Sequence, residues 1–391
     1  MISAEVGVDA MKMRTFAFVK RAWSVKPLPD LDSDRTLVLA FGGSQFGTAP
    51  EPLLDLSRAY PTSHLLGCST SGEILDAKLA DDSISVAVVR FQHSRLRRAD
   101  AVVEGEVDSF GAGEALAREL LAPDLRGVFL LSDGLSVNGS ELVRGLNAVL
   151  PDSVVVTGGL AGDGPRYERT WTLTADGPRS GAVSAVGIYG DRVHIGHGSR
   201  GGWDNFGPLR KVTRSHGNVL FELDGKPALA LYKNCLGDRS AGLPASALSF
   251  PLALRPDASS QREVVRTVLS IDEASQSITF AGDIPENANV RLMRANADRV
   301  IQGAGDAGLA ASTRAAAAGT GSPVLAIAIS CVGRRLVLGE RTEEEIEAAR
   351  HSLPVNAAQV GFYSYGEISP HGFGSCDLHN QTMTLTTISE R

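Results

Sequence analysis

Three times along its 391 residues the chain runs an apolar strand into a Gly or Ser turn, then a helix-length stretch, a second strand closing on Gly and a carboxylate, and one more strand. The copies are Leu37 to Gly43 leading to Ser71-Gly72-Glu73, Val128 to Gly134 leading to Ala161-Gly162-Asp163, and Leu325 to Gly333 leading to Tyr365-Gly366-Glu367. Trailing strands are read at Ser83 to Phe91, Gly181 to Tyr189 and Thr382 to Ile388. Self-similarity of this kind means related α/β units, and ligand chemistry in α/β assemblies gathers where strand ends converge.

Within the copies, continuous apolar runs such as Thr36 to Phe41 and Gly127 to Leu131 predict strands buried on both faces. Helix-spaced leucines follow in Pro50 to Tyr60 and Gly139 to Leu150, so strand, helix and returning strand imply parallel pairing through right-handed crossovers. The expected fold class is α/β, with two domains of mixed β-sheets flanked by helices and built from repeated β-α-β-β units. The Arg200-Gly201-Gly202 cluster and Pro208 mark the expected boundary, giving domains at 35–205 and 206–391. Asp224-Gly225-Lys226-Pro227 reads as a turn opening a helix from Ala228 to Cys235, and Arg262 to Ile271 as a strand. Asp298 to Ala318 reads as a long helix, although Gly303, Gly305 and Gly308 each cost ~1 kcal/mol against Ala, which predicts close packing there. Those glycines spell Gly-x-Gly-x-x-Gly inside a helical run rather than after a strand, so they are no dinucleotide fingerprint.

The net charge of −7 argues against a nucleic-acid surface, which wants clustered Lys and Arg. Met1 to Lys20 holds no uninterrupted signal-peptide core, and no run approaches the ~18 apolar residues of a membrane helix, so the expected location is the cytoplasm without membrane insertion. Cys68, Cys235, Cys331 and Cys376 are scattered without a Cys-x-x-Cys pair, and reduced thiols follow. Gly-x-Ser-x-Gly and a Walker loop are both missing, and the expectation is a protein that is not an enzyme.

Read together, Gly67-Cys68-Ser69-Thr70-Ser71-Gly72-Glu73 and Gly158-Gly159-Leu160-Ala161-Gly162-Asp163 resemble signatures of the FIST N-terminal domain. Glu222 to Ala228, Ser330-Cys331-Val332-Gly333-Arg334, Gly361 to Ile368 and His379 to Thr386 are similar in order and spacing to the FIST C-terminal domain. The resemblance runs from about Arg35 to Ile388. It implies a sensory module of bacteria or archaea that binds a small ligand and signals to a separate output protein, such as a histidine kinase or a cyclic-dinucleotide enzyme. Stand-alone FIST proteins of this length include haem-binding nitric-oxide sensors acting on a histidine kinase, and haem is the cofactor expected on that reading. Amino-acid-like ligands are the alternative.

The expected ligand-binding residues are Gly67, Cys68, Ser69, Ser71, Glu73, Gly159, Asp163, Cys331, Tyr365, Glu367, His379 and Asn380. His379, in the last family-like motif, is the first choice for haem iron, against a reading in which it holds a turn. Cys68 is placed in a loop whose amides and hydroxyls suit an anion such as a haem propionate, and Cys331 at a strand end where a thiolate can ligate iron or react. Glu73, Asp163 and Glu367 are read at one step of each copy, either converging on a ligand or accepting backbone N–H bonds. His371 falls in a plain loop, Pro370 to Ser375, and His194 and His197 point to opposite faces of a strand. A thiol-dependent enzyme built on Cys331 and a purely structural partner-binding protein are the contrasting functions.

Overall fold

The computed structural model describes residues 11–103, 108–255, 263–315, 322–371 and 374–391. Readings that fall on Met1 to Ala10, Arg262, Ala316 to Ala318 and Gly372-Phe373 lie outside them. The first unit contains β1 (Lys12–Val19), β2 (Ala22–Trp23), β3 (Thr36–Gly42), α1 (Glu51–Ala59), β4 (His64–Ser69), the hairpin β5 (Glu73–Leu75) and β6 (Lys78–Ala80), and β7 (Ile84–Arg90). The second contains β8 (Arg95–Val102), α2 (Ser109–Leu120), β9 (Leu125–Ser132), α3 (Gly139–Val149), β10 (Val155–Leu160), the hairpin β11 (Thr172–Thr174) and β12 (Gly177–Arg179), and β13 (Ala182–Tyr189).

The third unit opens with β14 (Val193–Arg200) and is then interrupted by a β-rich insertion. This holds β15 (Asp204–His216), β16 (Val219–Leu223), β17 (Lys226–Pro227), α4 (Ala228–Leu236), β18 (Leu252–Arg255), β19 (Val264–Arg266), β20 (Val268–Asp272), β21 (Ser277–Phe280) and β22 (Asn289–Arg294). The unit resumes with α5 (Ala297–Ala315), β23 (Val324–Cys331), α6 (Val332–Leu338) and α7 (Thr342–His351). It closes with β24 (Ala357–Ser364), the hairpin β25 (Gly366–Pro370) and β26 (Cys376–His379), and β27 (Met383–Glu390).

In each unit two parallel strands flank a helical crossover: β3 with β4, β9 with β10, β23 with β24. The unit's last strand then adds antiparallel to the first of the pair. The hairpins behave differently from anything the local pattern shows, because each completes another unit's sheet. β5 pairs with β24 of the third unit, β11 with β4 of the first, and β25 with β10 of the second. This cyclic exchange gives three mixed sheets around a pseudo-threefold axis, and it covers strand edges that would otherwise template pairing with other chains.

The strands at the centre face each other across a shared core. Leu39 and Phe41 from the first unit, Phe129 and Leu131 from the second, and Ile327 and Ile329 from the third belong to one buried cluster. Helices cover the outer faces, so the central strands are buried on both sides and read as continuous apolar runs. The insertion has its own core around Leu220, Tyr232 and Phe280, and it docks on the third unit through Trp203, whose Nε1 donates to the Gln381 carbonyl at 2.7 Å.

Glycines lock the units together. Gly67, Gly158 and Gly361 occupy the same place in the three parallel pairs, where a Cβ would lie 2.4, 1.9 and 1.8 Å from the carbonyl oxygens of Ala40, Leu130 and Ala328. The close packing expected of the Gly-rich helix also holds. It does so at two of the three glycines: a Cβ on Gly303 would lie 3.1 Å from the Gly202 nitrogen and one on Gly308 2.9 Å from the Ala349 carbonyl, whereas one on Gly305 would meet only an ordinary contact at 3.5 Å.

Candidate functional site

The three strand-to-hairpin corners meet at the pseudo-threefold axis, where a ring of backbone hydrogen bonds ties them. The Ser71 amide donates to the Tyr363 carbonyl at 2.7 Å, Gly162 to Ser69 at 2.9 Å, and Tyr365 to Leu160 at 3.2 Å. Ser71, Gly162 and Tyr365 are therefore equivalent positions, and their amides are spent on the neighbouring unit.

Two of the corner carboxylates are structural twins. Glu73 accepts from the Thr70 hydroxyl and, at its other oxygen, from the Ser83 amide at 3.0 Å and hydroxyl at 2.7 Å. Glu367 accepts from the Ser364 hydroxyl at 2.7 Å and from the Thr382 amide and hydroxyl at 3.2 and 2.8 Å. Each carboxyl thus clips its corner to the start of the unit's last strand. Asp163 is not the third member of this set. Counted from the corner, Glu73 and Glu367 lie two residues on and Asp163 only one, and the strand position opposite Cys68, equivalent to Glu73 opposite Phe362, is taken by Thr172. Its carboxylate instead gathers the amides of Tyr167, Glu168 and Arg169, each at 2.9 Å, and the Tyr365 hydroxyl. Burial acts to raise its pKa, but these donors outweigh burial and hold the carboxyl below its ordinary range.

Burial pushes Glu73 up to about 7 and Glu367 up to about 8, against opposing hydrogen bonds from Thr70 and Ser83 in one case and Ser364 and Thr382 in the other. The folded protein therefore keeps protons that an unfolded chain, with an ordinary value of 4.5, has lost. Stability from these groups is greatest below the unfolded value, falls as pH rises through the interval up to the folded values, and levels above them. The Glu367→Gln variant, with its amide nitrogen facing the reversible Ser364 hydroxyl, is expected to flatten that slope. Melting curves of both proteins between about pH 5 and 8 test this, and parallel curves would refute it.

Beside the corner ring lie two hollows that share Val332 in their walls. The first, about 300 Å³, opens between the three-unit body and the insertion. Cys331, Gly333 and Tyr365 line it from one side, and Asn218, Thr267 and Asp283 from the other. The second, about 750 Å³ and more open, contains Ser71, Gly72 and Glu73 with Arg335, whose guanidinium is held by both oxygens of Asp81 at 2.8 and 2.7 Å. Between them runs the loop that Asp163 organises: Gly164 faces the second hollow, and Tyr167 faces the first, stacked on Tyr365 at 4.5 Å between ring centroids.

The remaining candidates are in the fabric of the protein. Gly67, Cys68 and Ser69 form the end of β4 rather than a loop, and Cys68 is fully buried in the central core with its thiol pushed well up by burial. The Ser69 amide donates to the Trp171 carbonyl at 2.9 Å and its hydroxyl accepts from the Trp171 amide at 3.0 Å, so the Ser69 amide of the anion cradle expected around Cys68 is taken up by strand pairing. Gly159 lies in β10, opposite Glu367. Cys331 does line the first hollow, but burial, reinforced by Glu367, pushes its thiol up and suppresses the thiolate at neutral pH. Asn380 is fully buried and neither side-chain atom has a hydrogen-bond partner.

The expected iron ligand, His379, ends β26 and is 3% exposed. Its Nε2 donates to the Ser369 carbonyl at 3.0 Å, its ring stacks on His371, and burial lowers its pKa to about 4, keeping the imidazole neutral. It lines neither hollow, and among the described residues no group of three or more His, Cys, Asp or Glu is placed to hold a metal ion. The residues around His379 thus do not fit a haem, which needs an apolar slot open to the axial side chain.

Comparison with known proteins decides the family. The FIST N domain profile matches residues 36–226 and the FIST C domain profile residues 228–370. The chain belongs to the FIST domain proteins. These are small-ligand-sensing signalling domains, as the sequence resemblance implied. No curated protein matches the chain. Among solved structures, this FIST protein is similar to a cyanuric acid hydrolase from A. caulinodans, with 9% identity, a TM-score of 0.37 and coverage of 98% of this chain and 99% of that one. Among the described residues no helix is long and apolar enough to cross a membrane.

Sequence reasoning located Cys331 and Tyr365 but missed Asn218, Thr267 and Asp283. These are isolated polar residues in the insertion, without spacing or repetition to set them apart.

Proposed function

We propose that this FIST protein senses a small molecule held in the hollow between the insertion and the three-unit body, and passes its bound state to a separate signalling protein such as a histidine kinase. One observation carries the reading: the hollow is walled by both bodies at once, with Cys331, Gly333 and Tyr365 from the units facing Thr267 and Asp283 from the insertion. A ligand bridging them favours the arrangement in which both walls are in place, and that differential affinity is what a sensor transmits. A volume of about 300 Å³ is at the lower end of small-molecule sites, suited to a compact metabolite. A haem-borne, nitric-oxide-sensing version draws no support from the surroundings of His379, and a thiol-dependent enzyme none from the suppressed Cys331 thiolate.

Leu248 lines the hollow, so Leu248→Trp fills it. Thermal-shift screening of the full chain against a metabolite library is expected to give compounds that raise the melting temperature of the wild type and leave the variant unmoved. A library without effect, or compounds that stabilise both proteins equally, would overturn the assignment.

A further inference from the structure

The walls of the hollow also restrict the chemistry of its occupant. Among the described residues lining it, Asp283 is the only one with a formal charge. Its carboxylate forms no ion pair with any described residue, although its amide donates to the Ser140 hydroxyl at 3.3 Å and its carbonyl accepts from Arg266 Nε at 3.1 Å. Arg266 lies behind Gly282 and also directs its guanidinium at the Leu378 carbonyl, 2.9 Å away. These two donors thus go to backbone carbonyls of Asp283 and Leu378, residues of the lining, rather than to the Asp283 carboxylate.

Acceptors without partners surround this charge. Thr267, on the same wall, is 6% exposed, and its buried Oγ1 has no hydrogen-bond partner. Asn218 uses its Nδ2 on the Phe280 carbonyl at 2.8 Å, which leaves Oδ1 to accept. Tyr167 and Tyr365 also line the hollow, with their rings stacked on each other at an interplanar angle of 14°. Leu135, Val137, Leu160, Leu269 and Leu378 supply apolar walls.

For an anion the described lining offers the start of the short α6, at Val332 and Gly333, which has no side-chain cap. No Lys or Arg is present, and the first amides of α3, which opens onto the hollow at Gly139, are already capped: Asn138 Oδ1 accepts from Ser140 and Glu141 at 3.0 and 3.2 Å. Asp283 is half-buried, so its carboxylate keeps part of its hydration, but the buried Thr267 hydroxyl without a partner is costly. A ligand carrying an ammonium group offers a donor to both.

Resting on the ligand-pocket reading above, we propose that the occupant is a small organic amine, protonated at neutral pH, with an apolar body and no carboxylate. The ammonium group is held by Asp283 with help from Thr267 and Asn218, and the body lies against the leucines.

Calorimetry of the full chain with isoamylamine and phenethylamine, set against isovalerate and phenylpropanoate, tests the charge preference directly. The amines are expected to bind and the acids not, with Asp283→Asn weakening the amines roughly 10- to 100-fold, as loss of a charge-assisted hydrogen bond does. Thr267→Val is expected to weaken them by a smaller factor and, because it removes an unpartnered buried hydroxyl, to raise the melting temperature of the free protein slightly. Acids binding as well as amines, no amine binding at millimolar concentration, or Asp283→Asn without effect would each overturn the amine assignment. The two readings fail separately: library compounds that are not cations, yet lose binding in Leu248→Trp, sink the amine and keep the pocket, whereas binding unchanged in that variant sinks the pocket itself.

Discussion

Arg334→Ala is expected to lose roughly 3–5 kcal/mol of folding stability, because it removes one partner of a fully buried ion pair and strands the other. Arg334 and Glu345 are both 0% exposed, with Nε and Oε2 2.9 Å apart. The guanidinium also serves the Gly201 carbonyl, the Val300 carbonyl at 2.7 Å and the Gln381 carbonyl at 3.3 Å, so it joins the start of the insertion, the first turns of α5 and the last corner. Glu345 in turn accepts from the Ser330 hydroxyl at 2.5 Å and the Tyr363 hydroxyl at 3.2 Å. Removing the arginine leaves the Glu345 carboxylate without its counter-ion and takes a donor from each of three carbonyls, of which Gln381 keeps Trp203 Nε1. The double change Arg334→Met with Glu345→Met takes away the stranded charge, and it is expected to cost less than Arg334→Ala alone. Denaturant unfolding of the two variants decides the matter; a single-variant loss near the ~0–1 kcal/mol of a surface pair would show the network to be solvated.

A comparable loss, on the order of 3 kcal/mol or failure to fold, is expected for Gly361→Ala, an overpacking with nowhere to relax. The added methyl would lie 1.8 Å from the Ala328 oxygen, inside a parallel strand pair that is central to its sheet and buried on both faces. Its neighbours are backbone, which cannot rotate away. Gly305→Ala in α5 provides the contrast: the nearest atom to its new Cβ is the Ala348 carbonyl oxygen at 3.5 Å, an ordinary contact. There the better helix propensity of Ala should raise stability by up to ~1 kcal/mol. Equal effects of the two substitutions, measured by thermal unfolding, would show that close approach is not what keeps Gly361.

The sequence was most informative where physics is local. Leu37 to Phe41, Val128 to Leu131 and Leu325 to Ile329 announced buried strands because both faces of each are covered, and alternation is absent for the same reason. The glycines of α5 announced a tight helix surface, which the Gly201-Gly202 backbone and the Ala349 carbonyl fill. Asp163 misled because a shared Gly-carboxylate spelling does not fix register: here a loop intervenes, and pairing with β4 begins only at Thr172 of β11. Cys68 misled because β4 runs on through Ser69 once Trp171 pairs with it.

The family motifs, the repeated β-α-β-β pattern and the positions of the crossovers were settled by the chain itself, since periodicity and backbone sterics act over a few residues. Which sheet each hairpin joins, the partners of Glu73 and Glu367, and the meeting of Asp283 with Tyr365 across one hollow were decided only by tertiary packing. Those contacts join segments far apart in the chain, such as Ser71 with Tyr363, and their free energy comes from burial and hydrogen-bond satisfaction that no local window contains.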